Sequence, residues 1–536
     1  MLNFNKKDIM KPYINKLPFI LMFVVSVFIT SCVNDLDTVP IDEDIATAAN
    51  VFDDPAAYYQ FLAKIYSGLV ISGQQGPAGN PDIQGIDEGF SSYIRQYWVA
   101  QELSTDEALC AWNDPGLPDM SQQTWSSDND FVTALFNRIF FQVSMCNEFI
   151  RQTTDAKISD LEGTIKANVL NYRAEARFMR ALSYWHAIDM FGSVPFVTEE
   201  DEVGAFLPEQ ISRTELFNYV ESELLAILPD MVDAGQNEYG RADKAAVWML
   251  LAKLYLNAQV YIGENKYSEC ITYLNNVIGS SYGSEFESNY QDLFLADNDT
   301  AEGIIFTINC DGAHTQTWGG LTFIIHAAIG GDMNAGDFGV DGGWGGNRAT
   351  YEFANKFTDL TDSRALLFTA GQEPVITNLH DFKHGVGITK FKNVTSTGEP
   401  GTREDFPDTD FPVFRIADAY LMYAEATLRG GGGNAATAVG YVNQLIERAY
   451  GDDSKNIDQA DLTLDFILDE RARELYWECH RRTDLIRFGV FTGADYVWAF
   501  KGGVAEGVGT ASYFDLFPIP STQLGANPNL VQNTGY

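Results

Sequence analysis

Histidine and cysteine are scarce, with six of each in 536 residues. The cysteines, at 32, 110, 146, 270, 310 and 479, contain no CxxC spacing, which argues against a zinc site and against a disulfide framework. The five after Cys32 therefore read as mostly free, buried thiols. The histidines show no spacing that marks a nucleophilic triad, and His380 and His384 in a loop make a poor metal pair. Positive charge is short as well: 35 Lys and Arg stand against 74 Asp and Glu, for a net charge of −39. Phosphate backbones and anionic membrane faces need a positive stripe, so no nucleic acid is expected as partner and a neutral ligand fits better. The apolar run Phe19–Thr30 is too short to be a permanent membrane span.

What is present begins with an export signal. Lys6, Lys7, Lys11 and Lys16 precede the run Phe19–Thr30, and Ile29, Thr30 and Ser31 then meet Cys32. The arrangement resembles a bacterial lipoprotein box, in which Cys32 becomes the lipidated first residue; ordinary secretory cleavage nearby is the alternative. Either way the protein is exported. Removing residues 1–31 takes away four lysines and Asp8, a net +3, and leaves −42. Acyl chains on Cys32 would contribute about 0.8 kcal/mol per buried methylene, a stable anchor when there is more than one. Residues 32–50, acidic and proline-containing, read as a tether.

Beyond the tether the pattern is mainly α. Helical regions are expected over about 54–71, 129–279 and 412–489, and loop-rich regions over about 72–127 and 285–411. Phe178, Ala181, Leu182, Trp185 and Ile188 form one apolar stripe; Ala245, Met249, Ala252 and Leu256 form another. Leu216–Leu228 followed by Lys244–Tyr261 resembles a tetratricopeptide-type hairpin, although no clean 34-residue repeat can be read and an ordinary bundle remains open. The segment Leu464–Arg487 predicts one charged helix whose ion pairs, if exposed, contribute a few tenths of a kcal/mol each. Short strand-like runs occur at Gly303–Ile308 and Leu321–Ile325, and the tail FPIPSTQLGANPNLVQNTGY predicts no helix.

One stretch points to binding. Asp311–Arg348 sets Trp318 and Trp344 among Gly319, Gly320, Gly342, Gly343, Gly345 and Gly346, residues with no side chain to cover an indole face. An open aromatic face with Asn347, Asp341 and Arg348 beside it suits a sugar ring, apolar on its face and hydroxylated at its rim. A purely structural role for the tryptophans is the competing reading. A glycoside hydrolase would need two carboxylates flanking the bond; among 74 acidic residues a pair such as Asp87 and Glu88 arises by chance, so no catalytic residue is assigned. Asp297, Asn298, Asp299 and Glu302 place oxygen ligands close enough in sequence for a structural calcium, or form a solvated acidic turn. No other cofactor is expected.

Six separated blocks carry a family resemblance: SCVNDLD, YRAEARFMRALSYWHAIDMFGSVPFV, RADKAAVWMLLAKLYLNA, FRIADAYLMYAEA, ERARELYWECHRRTDLIRFG and LFPIPSTQLGANPNLVQNTGY. In this order they resemble the SusD/RagB family of outer-membrane glycan-binding lipoproteins. The resemblance implies one body over 32–536 with about four tetratricopeptide-like helix pairs and a loop-rich ligand face. It also implies a cell-surface lipoprotein that delivers a glycan to a SusC-like TonB-dependent transporter, and it lends support to calcium near Asp297. Cys479 departs from the glycine the family tends to carry before His-Arg-Arg, a difference expected to affect packing only. PDIQGIDEGFSSYIR, ELSTDEALCAW and GGWGGNR are similar to a starch-binding member. By that likeness Asp87 and Arg95 would bond glucose hydroxyls, Trp112 and Trp344 would stack, and Trp318 lies near a third stacking position. Cys110 and Pro115 stand where that member has a tryptophan and an asparagine; Asn113 could compensate, and Asn347 would join the rim. Starch or another α-glucan is the expected ligand, with laminarin or levan as alternatives.

Overall fold

Asparagine, aspartate, serine and threonine cap several helices of the computed structural model, which describes residues 51–77, 79–204, 206–284 and 286–536. The expected signal segment 1–31, Cys32 and the tether 32–50 lie outside the described residues. Contacts divide the chain after Ala57, and Tyr58–Tyr536 form one unit. Ten helices of eight residues or more are labelled here: α1 (Ala56–Ser67), α2 (Asp130–Gln152), α3 (Gly163–Met190), α4 (Arg213–Ile227), α5 (Lys244–Leu256), α6 (Tyr267–Ile278), α7 (Gly320–Ala328), α8 (Ile416–Leu428), α9 (Ala435–Tyr450) and α10 (Leu464–Leu475). Asn129 caps α2 by accepting from the Phe131 and Val132 amides at 2.9 and 3.2 Å. Ser212 and Glu215 close a capping box on α4, and Asp243 caps α5.

The helices pack as hairpins: α2 on α3, α3 on α4, α5 on α6, and α8 on both α6 and α9. The stripes read from sequence are buried, including Phe178, Leu182, Ile188, Met249 and Leu256. The main neighbour of α5 is α6, while α4 leans chiefly on α3, so the hairpin drawn from 216–228 to 244–261 is not the principal one. Two antiparallel ladders join distant segments. β1 (Leu109–Cys110) pairs with β3 (Asn347–Arg348), and β2 (Ile304–Ile308) pairs with β4 (Phe411–Arg415).

Four expectations need correction. Leu321–Ile325 is not a strand but the middle of α7, buried on all sides; a short apolar run without a polar face has no period from which helix and strand can be told apart. Residues 72–127 are not wholly irregular, because Tyr93–Trp98 is a fully buried helix continued by a π-turn over Val99–Leu103. The tail carries a short helix, Ser521–Ala526. Finally, Leu464–Arg487 is two helices, α10 and Arg481–Arg487, broken where Trp477 and Cys479 take φ of 64° and 65°.

That broken segment is also not a solvated charged face. Glu474 accepts from Arg448 at 2.6 Å, Arg415 at 3.1 Å and Arg364 at 3.4 Å, and Glu478 from Arg415 at 2.6 Å and Lys390 at 2.7 Å. Asp418 holds Lys253 at 2.5 Å and Arg471 at 2.9 Å, and Asp484 holds Arg471 at 2.6 Å and Arg487 at 2.7 Å. All these side chains are buried. Burial alone would raise the Glu474 carboxyl, and Arg448, Arg415 and Arg364 outweigh it, holding it down at about 2. Among the described residues the cysteines are free, with 110, 146, 270 and 479 buried. No helix among them is long and apolar enough to cross a membrane.

Candidate functional site

The β1–β3 ladder brings the early loop to the glycine-rich one. Leu109 faces Arg348 and Cys110 faces Asn347, and the pairing is extended by the Ala111 amide donating to the Gly346 carbonyl at 2.8 Å. Trp112 follows directly, and its indole Nε1 donates to the Trp344 carbonyl at 3.1 Å. A Cβ on Gly346 would lie 2.8 Å from Trp112 Cε2, so only glycine lets that ring lie against the backbone.

Trp344 is fixed by a helix end. The last carbonyls of a helix lack intrahelical partners. Here the Trp344 amide donates to His326 O, the Gly346 amide to Ala327 O and the Gly345 amide to Ile329 O, each at 2.8 Å, so the loop caps α7. The His326 ring stacks under Trp344 with centroids 4.7 Å apart at 24°. Its Nδ1 donates to Gly342 O at 2.7 Å, and burial pulls its pKa down, so the imidazole is neutral. One indole face is therefore covered rather than open.

Trp318 precedes α7 and completes the group. Ser72 Oγ lies 3.0 Å from Thr317 Oγ1, Thr317 donates to Glu88 Oε1 at 3.2 Å, and the Gly320 amide donates to Ser92 Oγ at 3.0 Å. These bonds stitch the early loop to the segment carrying Trp318. Trp318 is 37% exposed, and its ring rests on Phe406, 4.9 Å away. Centroids step 6.2 Å from Trp112 to Trp344 and 6.3 Å from Trp344 to Trp318. Three indoles drawn from two distant loops thus form one arc, with Trp344 at its centre.

The polar residues are placed unevenly. Asp87 is exposed, accepts from the Gly89 amide at 2.8 Å, and belongs to a turn whose Gly89 lies against Trp318. Asn113 is exposed beside Trp112. Arg95 is buried beneath the arc, with Cζ 4.1 Å from the Phe323 centroid and 6.0 Å from that of Trp112; Nη1 bonds the Gly89 carbonyl, and burial pushes the group down to about 10. Asn347 does not reach the rim. It is wholly buried opposite Cys110, and among the described residues neither amide atom finds a hydrogen-bond partner. Arg348 is also buried, donating from Nε to His384 O at 2.9 Å, because both sit in the ladder. Glu88 points inward to Ser72 and Thr317, away from any pairing with Asp87 as catalytic acid and base.

Asp297, Asp299 and Glu302, the candidate calcium ligands, lie on and beside the short 3-10 turn Asn298–Thr300. Among the described residues no three His, Cys, Asp or Glu side chains are placed to hold a metal, and Asp297 instead accepts from the Ser396 amide at 2.8 Å and hydroxyl at 2.7 Å. Sequence reasoning missed His326 and Phe406, the supports beneath two indoles. Neither carries a local signal, since Phe406 meets Trp318 only through the fold.

Stacked helical hairpins here carry an arc of indoles on joined loops, a surface suited to a flat-faced ligand. A model of the SusD family matches residues 342–536. The chain is 36% identical to the starch-binding protein SusD of Bacteroides thetaiotaomicron, over 96% of this chain and 98% of that one. It is 28% identical to SusD-like protein P25 of Formosa agariphila, over 68% of this chain and 73% of that one. A SusD superfamily protein from Bacteroides vulgatus superposes with a TM-score of 0.70 at 19% identity, covering 90% of this chain and 99% of that one. Surface glycan-binding protein A from Bacteroides thetaiotaomicron, solved with laminarihexaose, gives a TM-score of 0.68 at 21% identity, covering 89% and 99%. The chain belongs to the SusD family.

Proposed function

We propose that this protein is a cell-surface lipoprotein that captures a neutral glycan, starch or another α-glucan, and delivers it to a SusC-like TonB-dependent transporter. The observation that carries the reading is the arc Trp112–Trp344–Trp318, with successive centroids 6.2 and 6.3 Å apart. Asp87 and Asn113 stand at its exposed edge to meet hydroxyls. The relative that is 36% identical is named for binding starch, which favours an α-glucan. The structural neighbour that holds laminarihexaose shares the fold at 21% identity and keeps laminarin among the ligands to test. A net charge of −39 suits a neutral ligand and disfavours nucleic acid.

Capture involves no chemistry in this reading. Each ring contributes about 0.5–1.5 kcal/mol beyond its area burial, and ordering the glycan offsets part of the total. A net of about 4–6 kcal/mol corresponds to a Kd between about millimolar and tens of micromolar, weak enough for release to a transporter. Anchoring would come through Cys32, outside the described residues, and is tested by loss of lipid labelling in Cys32→Ala. The glycan is tested by affinity electrophoresis and calorimetry against amylopectin, dextran, laminarin and levan, with Trp344→Ala beside the native protein. Binding to amylopectin that Trp344→Ala weakens is the expected result. Unchanged binding in Trp344→Ala would sink the platform, laminarin or levan binding alone would replace the α-glucan, and release of reducing sugar by pure protein would revive a hydrolase.

A further inference from the structure

A cavity of about 320 Å³ opens between α1 and the loop carrying Tyr239. Its floor is apolar, with Leu69, Val70 and Ile308 buried. Two rings on its wall stand in solvent, Tyr59 at 46% and Tyr239 at 45% exposure. Neither ring is loose: Tyr59 donates its hydroxyl to Glu238 at 3.3 Å and Tyr239 donates to Asp410 at 2.7 Å. Hydroxyl and amide groups of Ser67, Thr315 and Asn309 complete the lining. The one charged residue in that lining is Arg241, already paired with Glu175. Fixed aromatic faces, an apolar floor, a few polar groups and no net charge match a neutral, hydroxylated ring.

The cavity and the arc share one segment of chain. Thr315 on its wall is three residues before Trp318, so their Cα atoms are at most about 11 Å apart. We propose that this cavity is a second subsite of the glycan platform, taking sugar rings of a chain that runs on beyond Trp318. The inference rests on the arc being a glycan platform. It implies that the protein reads chain length: a short oligosaccharide fills the arc alone, and a longer one reaches both.

Ala63 lines the cavity from the exposed side of α1, so Ala63→Phe fills the space without replacing a buried side chain. Maltotriose and maltoheptaose, and in parallel laminaritriose and laminarihexaose, are titrated calorimetrically into the native protein, Ala63→Phe and Trp344→Ala, with thermal midpoints confirming the fold. Ala63→Phe is expected to weaken the long oligosaccharide of whichever series binds by about two- to tenfold, one aromatic contact's worth, and to leave the trisaccharide unchanged. If Trp344→Ala weakens binding and Ala63→Phe changes nothing, or weakens both lengths equally, the subsite falls and the platform stands. If Trp344→Ala changes neither series, the platform reading falls and takes the subsite with it.

Discussion

The surroundings of Trp344 and of Glu474 are built on opposite principles. Around Trp344 the rings stand partly in water and are held from behind by backbone hydrogen bonds, three of them to carbonyls at the end of α7. Around Glu474 charged side chains are sealed from water and held by one another, with Arg364, Arg415 and Arg448 converging on one carboxylate. An indole can be removed from the arc without leaving a buried group unpaired. No member of the ionic cluster can be. With the arc as the proposed glycan platform, binding and stability are separable in this molecule, and substitutions in the two regions should move different observables.

The largest effect is expected at the buried cluster. Glu474→Ala leaves Arg448, whose side chain is 3% exposed, without its carboxylate. An uncompensated buried charge costs about 3–5 kcal/mol. Denaturant unfolding should show that loss, while the fraction still folded binds glycan as before. A matching fall in affinity would show that the two regions are coupled. Next comes Trp344→Ala, which removes the central ring of the arc. A loss of about 2 kcal/mol or more, some thirtyfold in Kd, is expected. The unfolding midpoint should move little, because the loop's amides still cap α7 without the ring.

Acid and base sharpen the contrast further. The folded pKa of Glu474 is depressed to about 2, so its contribution is present above the ordinary carboxylate range and is lost as pH falls from about 4.5 toward 2. Glu425 is likewise held at about 2, with burial raising it and Arg487 first among the groups that outweigh burial. Asp410 has the opposite sign. Burial pushes its carboxyl up to about 7, although it accepts from the Cys310 amide at 2.6 Å and from Tyr239. The unfolded chain releases that proton first, so Asp410 makes stability decline as pH rises from about 4 to about 7. Unfolding midpoints across pH should fall on both sides of about pH 4–5. Burial pushes Glu102 up to about 7 as well, so Asp410→Asn should reduce the neutral slope without abolishing it and leave the acid side alone; a neutral slope unchanged in Asp410→Asn would assign it elsewhere.

What could be read from residue order follows from range. The stripe Phe178–Ile188 declares itself because each helical position reports on its neighbours three and four away. The glycines around Trp318 and Trp344 point to exposed rings for the same local reason. The supports of those rings are long-range: His326 under Trp344 and Phe406 beside Trp318 become partners only when α7 and the loop before β4 are in place. Burial of Asn347 and Arg348 depends on pairing with Leu109 and Cys110, more than two hundred residues earlier. The charged segment 464–487 reads correctly as structural ion pairs, but its burial is hidden for a similar reason. Its i,i+3 and i,i+4 pattern fits a solvated helix, and the groups that bury it, such as Lys253, Arg364 and Arg415, lie far away in sequence.

The smallest expected effect joins the ionic region to the departure at Cys479. A change of side chain there was expected to alter packing only, but φ is 65°, a left-handed backbone in which a Cβ crowds the following carbonyl. The turn is enforced from outside, since the Cys479 amide donates to Glu102 Oε1 at 2.6 Å and the Trp477 amide to Glu107 Oε2 at 3.2 Å. Glycine suits this position for its backbone rather than its size. Cys479→Gly and Cys479→Ala both delete the thiol, so comparing them isolates the backbone contribution. The glycine variant should be the more stable by about 1 kcal/mol. Equal midpoints for the two would mean that the turn relaxes without strain, and the glycine that the family resemblance implies there would then need a packing explanation after all.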